Sequence, residues 1–262
     1  MGKTDLIGLF DSGIGGTSIW KETRDLLPYE NTLYLSDSAH APYGEKSKDK
    51  IIELCVKNTE FLLENNCKII VVACNTATTN AISFLRKKYN VPFIGIEPAI
   101  KPASLKTKSQ NIGVLATQGT LSSALFNTTA LTLSKEVTIH IQNGDGLVEL
   151  IESGQINSSE TKQLLLKYLN PMLSKKIDCL VLGCTHYPYL IPLIKEVVGP
   201  KVHLIDSGFA VAKQLKNVLD KNNLLNTNTI LGRHQFYINK DSRVLKDILK
   251  SEKNCTISKL DF

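Results

Sequence analysis

The run Ile69-Ile70-Val71-Val72-Ala73 is apolar at every position and stops at Cys74-Asn75-Thr76. Further along, Leu180-Val181-Leu182 stops in the same way at Gly183-Cys184-Thr185-His186. A strand with one wet face alternates polar and apolar residues. An unbroken apolar run is how a parallel strand covered by helices on both faces reads. Working outward, further short runs predict strands at Leu6–Phe10, Thr32–Ser36, Pro92–Ile96, Asn111–Ala116, Val137–Gln142, Val202–Ile205 and Gln235–Ile238. Helical patterns lie between them. Over Asp49–Glu64, residues Ile51, Ile52, Cys55, Val56, Thr59, Leu62 and Leu63 recur at helical spacing. Glu160–Leu173 follows a Ser158/Ser159 cap and contains Pro171, which predicts an end or a kink. Strands and helices that alternate in this way predict an α/β protein with mainly parallel sheets.

A weak internal repeat divides the chain. Ile7-Gly8-Leu9-Phe10 recurs as Ile112-Gly113-Val114-Leu115. Gly8 precedes Cys74 by 66 residues, and Gly113 precedes Cys184 by 71. After each cysteine another strand ends in an acid, Glu97 after 23 residues and Asp206 after 22. The expectation is two pseudo-symmetric α/β units, each with a cysteine at the C-terminal end of a strand. Open α/β sheets bind ligands at that end. The strand at Gln235–Ile238 and a helix at Val244–Leu249 are expected to return to the first sheet, and Lys221–Phe262 carries no recognisable chemistry.

Composition narrows the class. The 262 residues include 42% hydrophobic and 21% charged, as in ordinary globular proteins, which excludes a disordered or collagen-like chain and a small disulfide scaffold. The net charge of +6 comes with lysine runs at 46–50, 86–88, 106–108 and 174–176. No aromatic side chains interleave with them to stack bases, so they read as solvated surface and nucleic acid is not expected. Neither a signal-peptide pattern nor an apolar run long enough to span a membrane is seen, which places the chain in the cytoplasm with reduced thiols. The six cysteines are then packing residues or chemistry. Cys55 and Cys67 fit helix packing, Cys179 begins a buried strand, and Cys255 lies in an uninformative tail. Cys74 and Cys184 differ, because each ends an apolar strand and precedes hydrogen-bonding side chains. Cys184-x-His186 has no partner pair at metal-ligand spacing, so no metal is expected.

The loop Asp11-Ser12-Gly13-Ile14-Gly15-Gly16-Thr17 follows the first strand. Its backbone N–H groups could approach an anion. A dinucleotide reading has Gly13-x-Gly15 and an acid, Asp37, near the ribose position. It lacks the third glycine, Ser18 standing there, and Asp11 would oppose a pyrophosphate. A small carboxylate ligand could use the same N–H groups while Asp11 handles a proton. Pro42-Tyr43-Gly44 sits at the exit of the second strand, and Glu149 and Glu152 share one face of a short helix ended by Ser153-Gly154.

Together, D-S-G-I-G-G at 11–16, P-Y-G at 42–44, A-C-N-T-A at 73–77, E-S-G at 152–154 and G-C-T-H-Y-P at 183–188 resemble the glutamate racemases of the aspartate/glutamate racemase superfamily. The likeness runs from the first strand to about Gly208. Aspartate racemases usually carry Glu where His186 stands. The resemblance implies cofactor-independent interconversion of L- and D-glutamate, supplying D-glutamate for peptidoglycan, by a cytoplasmic homodimer. It implies that Cys74 and Cys184 are the catalytic acid/bases, Cys74 acting on the D-isomer and Cys184 on the L-isomer. Asp11, Glu152 and His186 would be auxiliary proton-handling groups. Asp11, Ser12, Tyr43, Gly44, Asn75, Thr76, Thr185 and His186 would hold the substrate. It also implies domains of 1–98 plus 208–262 and of 99–207, with the active site in the cleft between them.

The chemistry suits these residues. Inversion removes a proton from one face of the α-carbon and delivers one to the other, which two groups on opposite walls can do. No lysine motif for a pyridoxal Schiff base is recognisable, so the protein itself must stabilise carbanion character. An acid beside a thiolate raises the thiol pKa, so Asp11 and Glu152 read as proton acceptors, whereas a protonated His186 would favour a thiolate at Cys184. On the residues alone an aspartate racemase, a dinucleotide-binding protein and a thiol redox or zinc module remain open.

Overall fold

The computed structural model describes residues 2–262. Among the described residues ten strands form: β1 (Leu6–Asp11), β2 (Thr32–Ser36), β3 (Cys67–Val72), β4 (Phe93–Gly95), β5 (Asn111–Ala116), β6 (Thr138–Asn143), β7 (Cys179–Gly183), β8 (His203–Ile205), β9 (His234–Ile238) and β10 (Cys255–Lys259). In chain order the helices are α1 (Thr17–Leu26), α2 (Lys48–Glu64), α3 (Asn75–Lys88), α4 (Ile100–Lys106), α5 (Gln118–Leu121) and α6 (Ala124–Leu133). They continue with α7 (Leu147–Glu152), α8 (Ser159–Ser174), α9 (Ile191–Val198), α10 (Gly208–Lys221) and α11 (Arg243–Leu249). One sheet has the order β10-β9-β2-β1-β3-β4 and the other β6-β5-β7-β8, with parallel pairing throughout. The α/β class with two parallel sheets is as the apolar runs predict.

Each sheet is covered on both faces, which explains those runs. On one face of the first sheet, Phe10, Leu35, Ile70 and Val72 pack with Ile51 and Leu54 of α2 and Ala77 and Ala81 of α3. On the other, Ile7, Leu9 and Val71 pack with Trp20 of α1, Val211 and Leu215 of α10 and Leu245 of α11. The second sheet has Ile112, Val114 and Val181 against α4 and Phe126 of α6, and Leu180 and Leu182 against α7, α8 and α9. The core on the α1 side of the first sheet is continuous with that on the α7 side of the second.

The C-terminal segment closes the first sheet. β9 pairs with β2 from Thr32↔His234 to Ser36↔Ile238. Phe236 packs edge-on against Trp20 at 4.8 Å between ring centres, and Trp20 Nε1 donates to Thr32 Oγ1 at 3.0 Å.

Three local expectations change. Cys67 does not pack in a helix but begins β3, filling the space that Gly8 leaves; a Cβ on Gly8 would lie 2.9 Å from its sulfur. α8 continues through Pro171 to Ser174, its start capped by Ser158 Oγ accepting from Thr161 N at 3.1 Å. The last strand, β10, is not among the predicted strands because none of its five residues is buried and no apolar run marks it.

Candidate active site

The C-terminal ends of β1, β3, β5 and β7 meet around one small cavity. From the first sheet it is lined by Ser12, Tyr43, Gly44, Cys74, Asn75 and Thr76, and from the second by Thr117, Val148, Cys184, Thr185 and His186. The two cysteines, each just past a strand end as the repeat predicts, line one chamber. Glu97 and Asp206, the acids ending β4 and β8, do not line it. Asp11 and Glu152 stand one residue behind the wall.

Cys74 caps α3, its sulfur accepting from Ala77 N at 3.4 Å. Its other contact is Ser12 Oγ at 3.6 Å, and Ser12 Oγ in turn donates to Asp11 Oδ1 at 3.2 Å. Burial and the nearby Asp11 charge push the Cys74 thiol well above its ordinary range. Asp11 is fully buried; burial raises its carboxyl pKa to about 6, against the His186 charge and the Gly16 and Ser12 N–H groups, which act to lower it.

Cys184 has a different partner. His186 Nδ1 lies 3.7 Å from its sulfur, and His186 Nε2 lies 2.6 Å from Glu152 Oε1. Burial acts to lower the imidazole pKa, but the contacts with Cys184 and Glu152 outweigh it and hold His186 well above its usual range. Burial acts to raise Glu152, yet the His186 bond and charge, with Ile14 N–H and Ser38, keep it below the ordinary carboxylate range. The two sides therefore form unlike relays, thiol–hydroxyl–carboxylate and thiol–imidazolium–carboxylate.

The glycine loop serves these relays. Ser12 N donates to Asp11 Oδ1 at 2.7 Å, Ile14 N to Glu152 Oε1 at 2.7 Å, and Gly16 N to Asp11 Oδ2. The expectation that these N–H groups hold a ligand anion is corrected at residues 12, 14 and 16, where protein carboxylates occupy them. Gly13 and Gly15 are glycines for the same reason. A Cβ on Gly13 would meet the Glu152 carboxyl group (2.7 Å to its carbon), and one on Gly15 would meet the His186 ring (2.5 Å to Cγ).

Asn75 is 3% exposed, and among the described residues neither its side-chain oxygen nor its nitrogen has a partner. A buried amide without a bond costs about 1–3 kcal/mol, so the Asn75 side chain has donor and acceptor capacity free at the cavity wall. Thr76 Oγ1 meets Thr117 Oγ1 at 2.8 Å across the two sheets. Thr185 Oγ1 donates to Asp11 Oδ2 at 3.2 Å. Thr117 and Val148 are cavity residues the motifs do not show. The repeat does carry a signal for Thr117, since aligning Gly113 with Gly8 places it opposite Ser12.

Comparison with known proteins agrees with this geometry. The family model for Asp/Glu/Hydantoin racemase matches residues 18–215. A glutamate racemase of Ectopseudomonas mendocina is 49% identical over 84% of this chain and 84% of its own. One from Herpetosiphon aurantiacus is 44% identical over 88% of this chain and 91% of its own. Among solved structures, glutamate racemase isoform RacE1 from Bacillus anthracis superposes with a TM-score of 0.88 at 30% identity, covering 99% of this chain and 98% of that one. Escherichia coli glutamate racemase, solved with L-glutamate and the activator UDP-MurNAc-Ala, gives 0.85 at 31% identity, with 98% of each chain covered. With a family model spanning most of its length and two cysteines facing one chamber, the chain belongs to the Asp/Glu/hydantoin racemase family.

Proposed function

We propose that the protein interconverts L- and D-glutamate by two-base proton transfer without a cofactor. The observation that carries this is the pair of cysteines, one from each sheet, lining one cavity with unlike proton relays behind them. In the D-to-L direction, Cys74 passes its S–H proton through the Ser12 hydroxyl to Asp11 and takes the α-proton. Cys184 gives its own proton to the opposite face and ends as a thiolate beside the His186 imidazolium. The surplus proton on Asp11 and the deficit at Cys184 are then balanced by exchange with solvent. In the L-to-D direction, Cys184 takes the proton and Cys74 delivers one.

Ser12, Tyr43, Gly44, Asn75, Thr76, Thr185 and His186 hold the substrate in this reading, the unbonded Asn75 amide being its clearest support. The developing negative charge at the α-carbon is met by preorganised donors and the His186 cation. D-Glutamate supply for peptidoglycan, a cytoplasmic homodimer, and domains of 1–98 plus 208–262 and of 99–207 belong to the same proposal. Among the described residues no helix is long and apolar enough to cross a membrane.

The test is racemisation in D₂O without added cofactor. Deuterium should enter the α-position of both glutamate isomers, and aspartate should exchange far more slowly. Exchange of aspartate alone would instead favour the aspartate racemase reading, and no exchange of either would overturn the proposal.

A further inference from the structure

The residue after β9, Asn239, is bound to the turn that follows β2. Its Nδ2 donates to Asp37 Oδ1 at 2.5 Å, and its Oδ1 accepts from Ala39 N at 2.8 Å. Asp37 is 2% exposed, and its backbone N–H donates to the Asp11 carbonyl at 3.0 Å. Its second oxygen, Oδ2, accepts from the Tyr43 hydroxyl, which also accepts from Asn58 Nδ2 of α2 at 3.2 Å. His40 Nδ1 lies 2.6 Å from Asp37 Oδ1. Tyr43 and its neighbours Pro42 and Gly44 form one wall of the cysteine cavity, with Gly44 so close to Thr117 that a Cβ there would lie 3.0 Å from the threonine Cβ.

We propose that Asn239 is a positioning residue for the reaction: it orients Asp37, which anchors Tyr43 and so sets the Pro42–Gly44 wall against which the substrate binds. This rests on the glutamate racemase reading of the cavity. The chemistry fits a holding role. Asn239 offers a donor to a buried carboxylate and an acceptor to a backbone N–H, so it fixes both the acid and the turn. Tyr43 remains a neutral donor, since burial and the Asp37 charge push its hydroxyl well above the ordinary phenol range. Neither proton relay passes through this network. Ser38 in the same turn is held separately, by Ser36 Oγ at 3.0 Å and by Glu152 Oε2 at 2.8 Å. Loss of Asn239 should therefore weaken binding of substrate and transition state alike.

The experiment is steady-state kinetics with both glutamate isomers on the full chain. Asn239→Ala should raise KM for each isomer about tenfold with kcat within about threefold, the pattern of lost uniform binding. The exchange Asp37→Asn with Asn239→Asp lets Asn at 37 donate to Asp at 239 while still accepting from Tyr43. It should recover most of the KM lost in either single variant, a coupling that general loosening of the fold would not produce. An unchanged KM in Asn239→Ala, a loss confined to kcat, or a double variant no better than the singles would each overturn the proposal. If Asn239→Ala does not fold, the near-isosteric Asn239→Asp replaces it, keeping the Ala39 bond and deleting the donation to Asp37; a raised KM relieved by Asp37→Asn supports the role, and an unchanged KM overturns it. A parent protein that fails to racemise glutamate would instead strike the underlying reading.

Discussion

At the scale of single residues, the two cysteines have different surroundings and should fail differently. Cys74→Ala and Cys184→Ala should each lower racemisation by about a thousandfold, within the range general acid–base groups contribute. Full activity in either variant would overturn the two-base mechanism. Asp11 gives a pH test with a worked sign. Its pKa is raised from 3.8 to about 6, so the folded state holds this proton more tightly than the unfolded chain. That stabilisation is present below pH 4 and is lost as pH rises through 6, at up to about 3 kcal/mol. Asp11→Asn should remove this slope, measurable by urea denaturation at steps from pH 4 to pH 7. It should also remove an acid limb near pH 6 from the kcat/KM profile for D-glutamate while lowering the rate about a hundredfold. The residues at stake were legible in sequence because each strand-end motif keeps its chemistry contiguous. Asp37 and Asn239 were not legible as partners, since about 200 residues separate two side chains that only the β2–β9 pairing brings together.

At the scale of elements, the glycine loop between β1 and α1 is shaped by the side chains that reach across from the second sheet. Gly15→Ala would push its methyl into the His186 ring, which Glu152 and Cys184 hold from either end. The expected result is a loss of activity of about tenfold to a hundredfold with the far-UV circular dichroism unchanged, since on the proposed mechanism a displacement of about 1 Å at His186 is enough. A fully active variant would mean that His186 has freedom the packing denies. Most strands were readable within two residues because burial on both faces writes a continuous apolar run. β10 was not, because Thr256, Ser258 and Lys259 are exposed on an edge strand where burial imposes no pattern. Pro171 lacks the N–H that would bond the turn before it, but α8 carries on past it to Ser174 with the loss of that one donor.

At the scale of the molecule, the N-terminal segment and the stretch after α10 are tied to the first sheet by buried charge. Lys68 of β3 is fully buried, with Nζ 2.7 Å from Glu30 Oε2 and 2.5 Å from the Lys3 carbonyl. Glu30 Oε1 also accepts from Asn226 N at 2.7 Å. Lys68→Met would leave the Glu30 carboxylate buried without its cation and should cost about 3–5 kcal/mol in urea denaturation. Lys68→Met with Glu30→Leu should cost markedly less. Equal losses would mean that packing rather than charge governs the site. The two parallel sheets were visible in the spacing of the repeat, but the continuous core joining them was not, since periodicity reveals which face is apolar and not what covers it.

The late return of β9 to the first sheet also bears on how the protein is made. β2, all five residues of which are buried, leaves the ribosome about 200 residues before its outer neighbour exists. Until then its outer edge is an open row of backbone donors and acceptors, a template for pairing with other chains. A nascent or prematurely terminated chain ending near Asn222 should therefore collect in the insoluble fraction instead of behaving as a smaller working enzyme.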